Sequence, residues 1–255
     1  AQCGAEVILL EKTLRLGTKI LISGGGKCNI THDGPIEDLI RAFRPHEGRF
    51  IRPSVYRFRN DQVVEMLTSR GLRVYTRPDG RIFPSHGNAK DVVAILRGYL
   101  EEAGVDLRFG VPVTGLSVEG ERVAGVETAE GRIEADAVVV AAGGSSYPNA
   151  GTTGDAWPWL RSLGHSVVKV RAALAPLYLR TDHHDPELSG VAVGECVLRA
   201  RGLDAGGKRK GLARWHGDLL FTHQGVSGPC ALGVSREVAA AMERGEVEGF
   251  VDCPP

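Results

Sequence analysis

Lys19-Ile-Leu-Ile-Ser-Gly-Gly-Gly-Lys-Cys-Asn-Ile-Thr31 sets three consecutive glycines, Gly24, Gly25 and Gly26, directly after a short apolar run. Ser23, Lys27, Asn29 and Thr31 surround them. Glycine has no Cβ, so backbone N–H groups can come close to an anion, and Lys19 and Lys27 supply positive charge. Hydroxyl and amide groups in the same segment suit hydrogen bonds to the polar edge of a ring. A glycine-rich loop is by itself a weak signal, because most such loops are turns. Its neighbours decide.

Upstream, Glu6-Val-Ile-Leu-Leu10 is a brief apolar run ending in Glu11, with Gly4 just before it. This reads as a helix end with a glycine cap, then a buried strand with an acid at its carboxyl end. In a dinucleotide-binding βαβ unit such an acid lies about 20 residues beyond a G-x-G-x-x-G turn and holds a ribose hydroxyl. Counting back from Glu11 takes that turn off the front of this sequence. The bland alternative leaves Glu11 merely ending a surface strand. Downstream, Val138-Val-Val-Ala-Ala-Gly-Gly-Ser-Ser146 runs an apolar strand into small residues, followed by Tyr147-Pro-Asn-Ala-Gly-Thr-Thr-Gly-Asp155. A continuous apolar run suits a strand covered on both faces, as in a parallel sheet.

Four motifs together resemble the HI0933-like, or aminoacetone-oxidase-like, FAD-binding proteins. They are Gly17 to Thr31, Asp79-Gly-Arg-Ile-Phe-Pro84, Ala141 to Pro148 with Gly151-Thr-Thr-Gly-Asp155, and Leu219-Leu-Phe-Thr-His-Gln-Gly-Val-Ser-Gly-Pro229. They follow the family's order and extend over nearly the whole sequence. The resemblance implies an α/β fold: a partial three-layer FAD/NAD(P)-binding, Rossmann-like domain with a mainly β, barrel-like insert. The family's opening G-x-G-x-x-G strand is expected before Ala1 and its closing FAD-binding segment after Pro255. The sequence is therefore read as an internal fragment, one expected to hold FAD poorly by itself.

Length and charge set outer bounds. The 255 residues suffice for one large or two moderate domains with a real core. Lys plus Arg and Asp plus Glu number 31 each, so bulk charge does not direct the chain to nucleic acid or a membrane. No apolar run reaches the ~18 residues of a membrane helix. Cys3, Cys28, Cys196, Cys230 and Cys253 are scattered and form no C-x-x-C pair, which suits reduced thiols in the cytoplasm.

Residues 1–170 are assigned to the FAD-binding domain and 171–255 to the insert. Within the first, residues 34–72 are expected to be mostly helical, Val74–Thr76 and Arg81–Phe83 to form a hairpin around Pro78-Asp-Gly80, and Asn88–Ala103 to form the best helix. Four short strands near 107–109, 111–118, 123–128 and 132–135 are expected to form a meander, closed by a strand at 137–142. A short helix follows from Gly154, with Pro158 restricting it. In the insert, strands are expected at 191–200 and 219–222 joined by Gly-, Lys- and Arg-rich loops. A helix is expected from Val234 to Arg244 and a strand at 250–253.

Site roles come from the resemblance. It implies that Glu11, with Lys12 beside it, binds ribose. It also implies that Lys19, Ser23, Gly24, Gly25, Gly26, Lys27, Cys28, Asn29 and Thr31 wrap the pyrophosphate and flavin, that Val113 meets the adenine through its backbone, and that Ala142, Gly143 and Gly144 approach the cofactor. Asp155 either joins them or caps the following helix. Cys28 is a candidate redox thiol or a small packed residue. His223 is a candidate proton donor, or with Ser227 a structural hydrogen-bonding group. Asp182, His183, His184 and Asp185 have the composition of a metal site, but adjacent residues rarely aim at one ion, so a solvated loop and no metal are expected.

The reaction implied is reduction of an electron-poor C=C bond in an enone or a uracil-type ring, with NAD(P)H as donor. The alternatives are oxidation of a small amine or ketone, or a flavin-binding module without catalysis. Two basic clusters, Arg41, Arg44, Arg49, Arg52, Arg57 and Arg59, and Arg199, Arg201, Lys208, Arg209, Lys210 and Arg214, suit an RNA backbone as readily as they suit solvated loops. Substrate is accordingly a small molecule or an RNA uridine.

Overall fold

In the computed structural model of the protein, residues 1, 3–180 and 185–252 are described. The chain divides into two compact units, Ala1–Val167 and Val168–Pro255. Asp182, His183, His184 and Cys253 lie outside the described residues.

In the first unit, the aliphatic run before Glu11 forms β1 (Ile8–Glu11). After a five-residue helix, α1 (Thr18–Ile22), the glycine loop leads to the short strand β2 (Thr31–His32). Three helices follow, α2 (Ile36–Arg41), α3 (Pro45–Arg57) and α4 (Asn60–Thr68). Strands β3 (Val74–Thr76) and β4 (Arg81–Pro84) form the expected hairpin, and β2 adds to its other side. α5 (Ala89–Glu102) starts with a reciprocal cap. Asn88 Oδ1 accepts the Lys90 N–H at 2.8 Å, and the Asp91 carboxylate accepts the Asn88 N–H at 2.7 Å. The core of this unit joins Cys28, Leu67, Leu72, Ala89 and Val92, flanked by Ile20, Ile30 and Leu96.

Three expectations need correction here. The first of the four short strands, β5 (Asp106–Phe109), pairs in parallel with β1, Ile8 opposite Asp106 and Glu11 opposite Phe109. Only β6 (Val113–Glu119), β7 (Arg122–Thr128) and β8 (Gly131–Glu134) make the antiparallel meander. The run 137–142 forms no ladder with any described residue, and Val139 is 91% exposed. Apolar composition makes a strand only where a neighbour offers backbone partners, and none lies alongside. The helix after Gly154, α6 (Ala156–Ser162), continues past Pro158. Pro158 occupies the first turn, where a missing N–H costs no helical hydrogen bond.

The second unit is an antiparallel sheet of five strands. These are β9 (Leu177–Tyr178), β10 (Ala192–Leu203), β11 (Arg209–Thr222), β12 (Gly225–Ser227) and β13 (Glu248–Asp252), in the order β13-β10-β11-β12-β9. The sheet is open among the described residues, with no closed barrel. Alternation along β10 turns Cys196, Leu198 and Ala200 onto α7 (Gly228–Met242), whose Cys230, Ala231, Val234 and Val238 complete the core. Trp215 lies so close to α7 that a Cβ on Gly233 would sit 2.1 Å from its ring.

The Gly-, Lys- and Arg-rich stretch expected as a loop is mostly strand. The turn is confined to Asp204–Lys208, where Asp204 Oδ1 accepts the N–H groups of Gly206 at 2.8 Å and Lys208 at 3.0 Å. The helix begins at Gly228 rather than Val234, because Pro229 falls in its first turn where proline is tolerated. Among the described residues no helix is long and apolar enough to cross a membrane, and no group of three His, Cys, Asp or Glu converges as a metal would need.

Candidate dinucleotide-binding site

The glycine loop is shaped by consecutive left-handed residues. After α1, Gly24, Gly25 and Gly26 take φ of 56°, 66° and 85°, and Cys28 follows at 60°. Such a run closes a tight left-handed turn, in which the Lys27 N–H donates to the Gly24 carbonyl at 3.3 Å and the Cys28 N–H to the Ser23 carbonyl at 3.1 Å. A Cβ at Gly24 would stand 3.0 Å from the Asn29 backbone nitrogen and 3.1 Å from the Phe83 ring, so the tight fold needs glycine there. Gly25 faces open space. Ser23 Oγ donates to the Ile20 carbonyl at 2.9 Å, which anchors the loop to α1. The side chains of Lys27 and Asn29 are exposed and bond no described residue, while Thr31 is half-buried on β2.

Glu11 ends β1, half-buried, and one carboxylate oxygen accepts the Thr13 N–H at 2.8 Å. Its other oxygen bonds no described residue. Lys12 reaches across 141 and 143 residues to Thr153 Oγ1 at 2.6 Å and Asp155 Oδ2 at 2.5 Å. Thr153 Oγ1 in turn donates to Asp155 Oδ1 at 2.6 Å. Lys12 first, then Thr153, holds the Asp155 carboxyl below the usual carboxylate range. Asp155 therefore ties the segment to Lys12, and its side chain does not cap α6.

A second tether involves a residue that sequence reasoning passed over. Thr152 is buried, and its Oγ1 donates to the Tyr147 carbonyl at 2.8 Å while accepting the Tyr147 N–H at 3.1 Å. The same oxygen accepts from Lys19 Nζ at 3.3 Å, and that ammonium lies 5.9 Å from the centre of the Tyr147 ring. Gly143 and Gly144 lie on this turn: the Gly154 N–H donates to the Gly144 carbonyl at 2.9 Å, and a Cβ on Gly143 would be 3.1 Å from Thr152 Cγ2. Tyr147 lies in the Ala141–Pro148 motif and Thr152 and Thr153 in Gly151–Asp155, but sequence alone does not show which hydroxyl is buried among partners.

The structure thus brings Lys12, Lys19, Gly143, Gly144 and Asp155 together in one unit. Val113 opens β6 opposite Thr128, two residues beyond Val111, whose N–H donates to the Glu11 carbonyl at 3.2 Å. Ala142 lies on the unpaired run preceding Gly143. The Cys28 thiol is only 4% exposed, and burial pushes its pKa up against the opposing hydrogen bond with Ser23. A thiol so placed is a poor nucleophile. Below the loop, Lys19, Ser23 and Asn29 rim a cleft of about 250 Å³ floored by Ile20, Met66 and Val92. His223 belongs to the other unit, exposed in the two-residue turn between β11 and β12.

These features fit a bound dinucleotide: a tight glycine turn after a short helix, two lysines nearby, and a carboxylate with one oxygen to spare at a strand's carboxyl end. The class they define is a Rossmann-type dinucleotide-binding unit. The chain belongs to the HI0933-like family, whose Rossmann domain matches residues 1–243. It is 29% identical over 253 residues to a 3-dehydro-bile acid delta(4,6)-reductase of Clostridium scindens, covering 98% of this chain and 59% of that protein. It is 26% identical to a ribosomal RNA dihydrouridine synthase of Haemophilus influenzae, covering 92% of this chain and 56% of that protein. To the protein of the same name from Escherichia coli it is 28% identical, over 92% of this chain and 55% of that one. The chain thus spans somewhat more than half the length of these relatives.

Proposed function

We propose that this chain forms the FAD-binding part of an oxidoreductase that reduces an electron-poor C=C bond with NAD(P)H as donor. The observation that carries this reading is that Lys12 and Lys19, the latter on the helix leading into the Gly24–Gly26 turn, both reach the Gly143–Asp155 segment. Bound FAD supplies hydride chemistry at such a site. Glu11 accepts hydrogen bonds from ribose hydroxyls, and the loop backbone with Lys27 holds the pyrophosphate. Asn29 and Thr31 offer polar groups for the ring edge. Lys12 and Lys19 hold the Gly143–Asp155 turn against the loop, and Cys28 fills the core beneath it. His223, exposed and unbonded among the described residues, is the candidate that delivers a proton to the substrate carbon.

The names of two relatives support a C=C bond as the target, one in a bile acid and one in an RNA uracil ring. The test is anaerobic reduction of the complete protein by NADH or NADPH, followed by its absorbance as acceptors are added. Rapid reoxidation by a steroid-type enone or by uridine-containing ribosomal RNA is expected. Reoxidation by dioxygen alone would overturn the C=C reading and leave an oxidase.

A further inference from the structure

Three strands of the second unit present one face away from α7, and its side chains fall in rungs. Phe250, Arg199 and Arg214 form one rung across β13, β10 and β11, and Glu248, Arg201 and Gly211 form the next. Like charges directly opposite each other destabilise a sheet, and Arg199 and Arg214 are direct cross-strand partners. Only one of them is compensated by a described residue. Arg199 pairs with Asp252 at 2.8 Å, whereas the Arg214 guanidinium makes no hydrogen bond or ion pair with any described residue.

The remaining acids of this face are also engaged. Glu248 pairs with Arg209, and Glu195 lies 3.3 Å from His216. Arg201 has no carboxylate partner among the described residues; its guanidinium stands 5.2 Å from the centre of the Phe250 ring, which is 43% exposed. Arg199, Arg201 and Arg214 line one cleft of about 360 Å³ with Gly211 and Leu212, and a Cβ on Gly211 would meet nothing. Arg201 and Arg214 are diagonal neighbours on adjacent strands, roughly 7–8 Å apart in such a sheet, a scale that suits successive phosphates of an extended strand. An exposed ring beside them is a platform on which a base stacks, and that combination marks single-stranded nucleic-acid surfaces.

We propose that the open face of the β10–β11–β13 sheet docks a single strand of RNA, holding phosphodiesters at Arg201 and Arg214 and a base against Phe250. This rests on the RNA-uridine branch of the function proposed above. The helical cluster of the first unit is a weaker candidate, since Arg41 and Arg59 are paired with Asp38 and Asp61.

The test measures fluorescence anisotropy of a labelled, uridine-containing single-stranded oligoribonucleotide with the complete protein across a potassium chloride series. Wild type is expected to bind with a steep salt dependence. R201Q/R214Q should lower the log–log slope by about 1.4, at about 0.7 per phosphate contact. R214K should keep the wild-type slope, and F250L should weaken binding about ten-fold without altering it. All three side chains are exposed, and an unchanged flavin spectrum reports the fold. If wild type binds RNA and the double variant binds with the same slope, the surface is wrong while RNA remains the substrate. If wild type binds no RNA, both ideas fall together. An oligo-aspartate peptide competing as well as RNA would overturn the proposal in favour of a protein partner.

Discussion

Replacing Thr152 by valine keeps the shape of the side chain and deletes the oxygen on which Tyr147 and Lys19 converge. The Tyr147 carbonyl keeps two other donors, Ala150 N–H at 2.9 Å and Thr152 N–H at 3.3 Å. The Tyr147 N–H loses its acceptor, and an orphaned donor costs about 1–2 kcal/mol at a partly buried position. Lys19 is exposed, so its lost contact adds little. At about 2–4 °C per kcal/mol for a unit of this size, the melting temperature should fall by about 2–8 °C. Thr152→Ser is the control: it keeps all three hydrogen bonds and loses a methyl, about 1 kcal/mol. Thermal melting with flavin content measured on each purified variant separates the two losses. Valine should shed flavin and serine should retain it. A valine variant that melts with wild type and retains its flavin would refute the view of Thr152 as the tether of the site.

Gly24→Ala places a Cβ against the Asn29 nitrogen at φ 56°, so flavin content of the purified protein should drop sharply while far-UV circular dichroism changes little. Asp155 is held at a depressed pKa by Lys12, so the pair stabilises the fold fully above the unfolded carboxylate value of about 4 and loses its effect as pH falls through the folded value. Lys12→Met should therefore lower the melting temperature at neutral pH and leave it unchanged in strong acid; partial exposure of both side chains keeps the effect below about 1 kcal/mol. Gly233→Ala should destabilise the second unit by about 1–3 kcal/mol and shift tryptophan emission, because its Cβ would overlap the Trp215 ring. Alkylation of the native protein, read by mass spectrometry, should modify Cys3 well before Cys28, Cys196 or Cys230, which are buried.

Local chemistry made much of this fold legible. The Asn88 cap, the Pro78-Asp-Gly80 turn and the glycines after α1 act within a few residues, and the expected elements formed around them. Partner choice was not local. Leu107 to Phe109 reads like any meander strand, yet it pairs with β1, nearly a hundred residues earlier in the chain. The run at 137–142 has the composition of a strand but no backbone beside it. Arginines and lysines of β10 and β11 alternate with small residues on an open sheet face, a pattern that composition alone confuses with a loop. Among the candidate site residues, Glu11 and the glycine loop stand out by spacing. Thr152 did not, since a buried hydroxyl with three partners is known only once those partners are in place.

The long reach of Lys12 has a consequence for how the protein acquires its binding site. The second unit has at its centre a hairpin with a short turn and a helix that follows at once, so the contacts among these three elements close small loops. The site of the first unit waits on encounters between residues more than 130 positions apart, Lys12 with Asp155 and Lys19 with Thr152. Distant contacts carry a larger loop-closure entropy and form late. During refolding, the hairpin amides should gain hydrogen-exchange protection before the amides of residues 147–155. Competence to hold a ligand is then a late event of folding, and ligand added to a refolding mixture stabilises the end of the pathway without hastening its beginning.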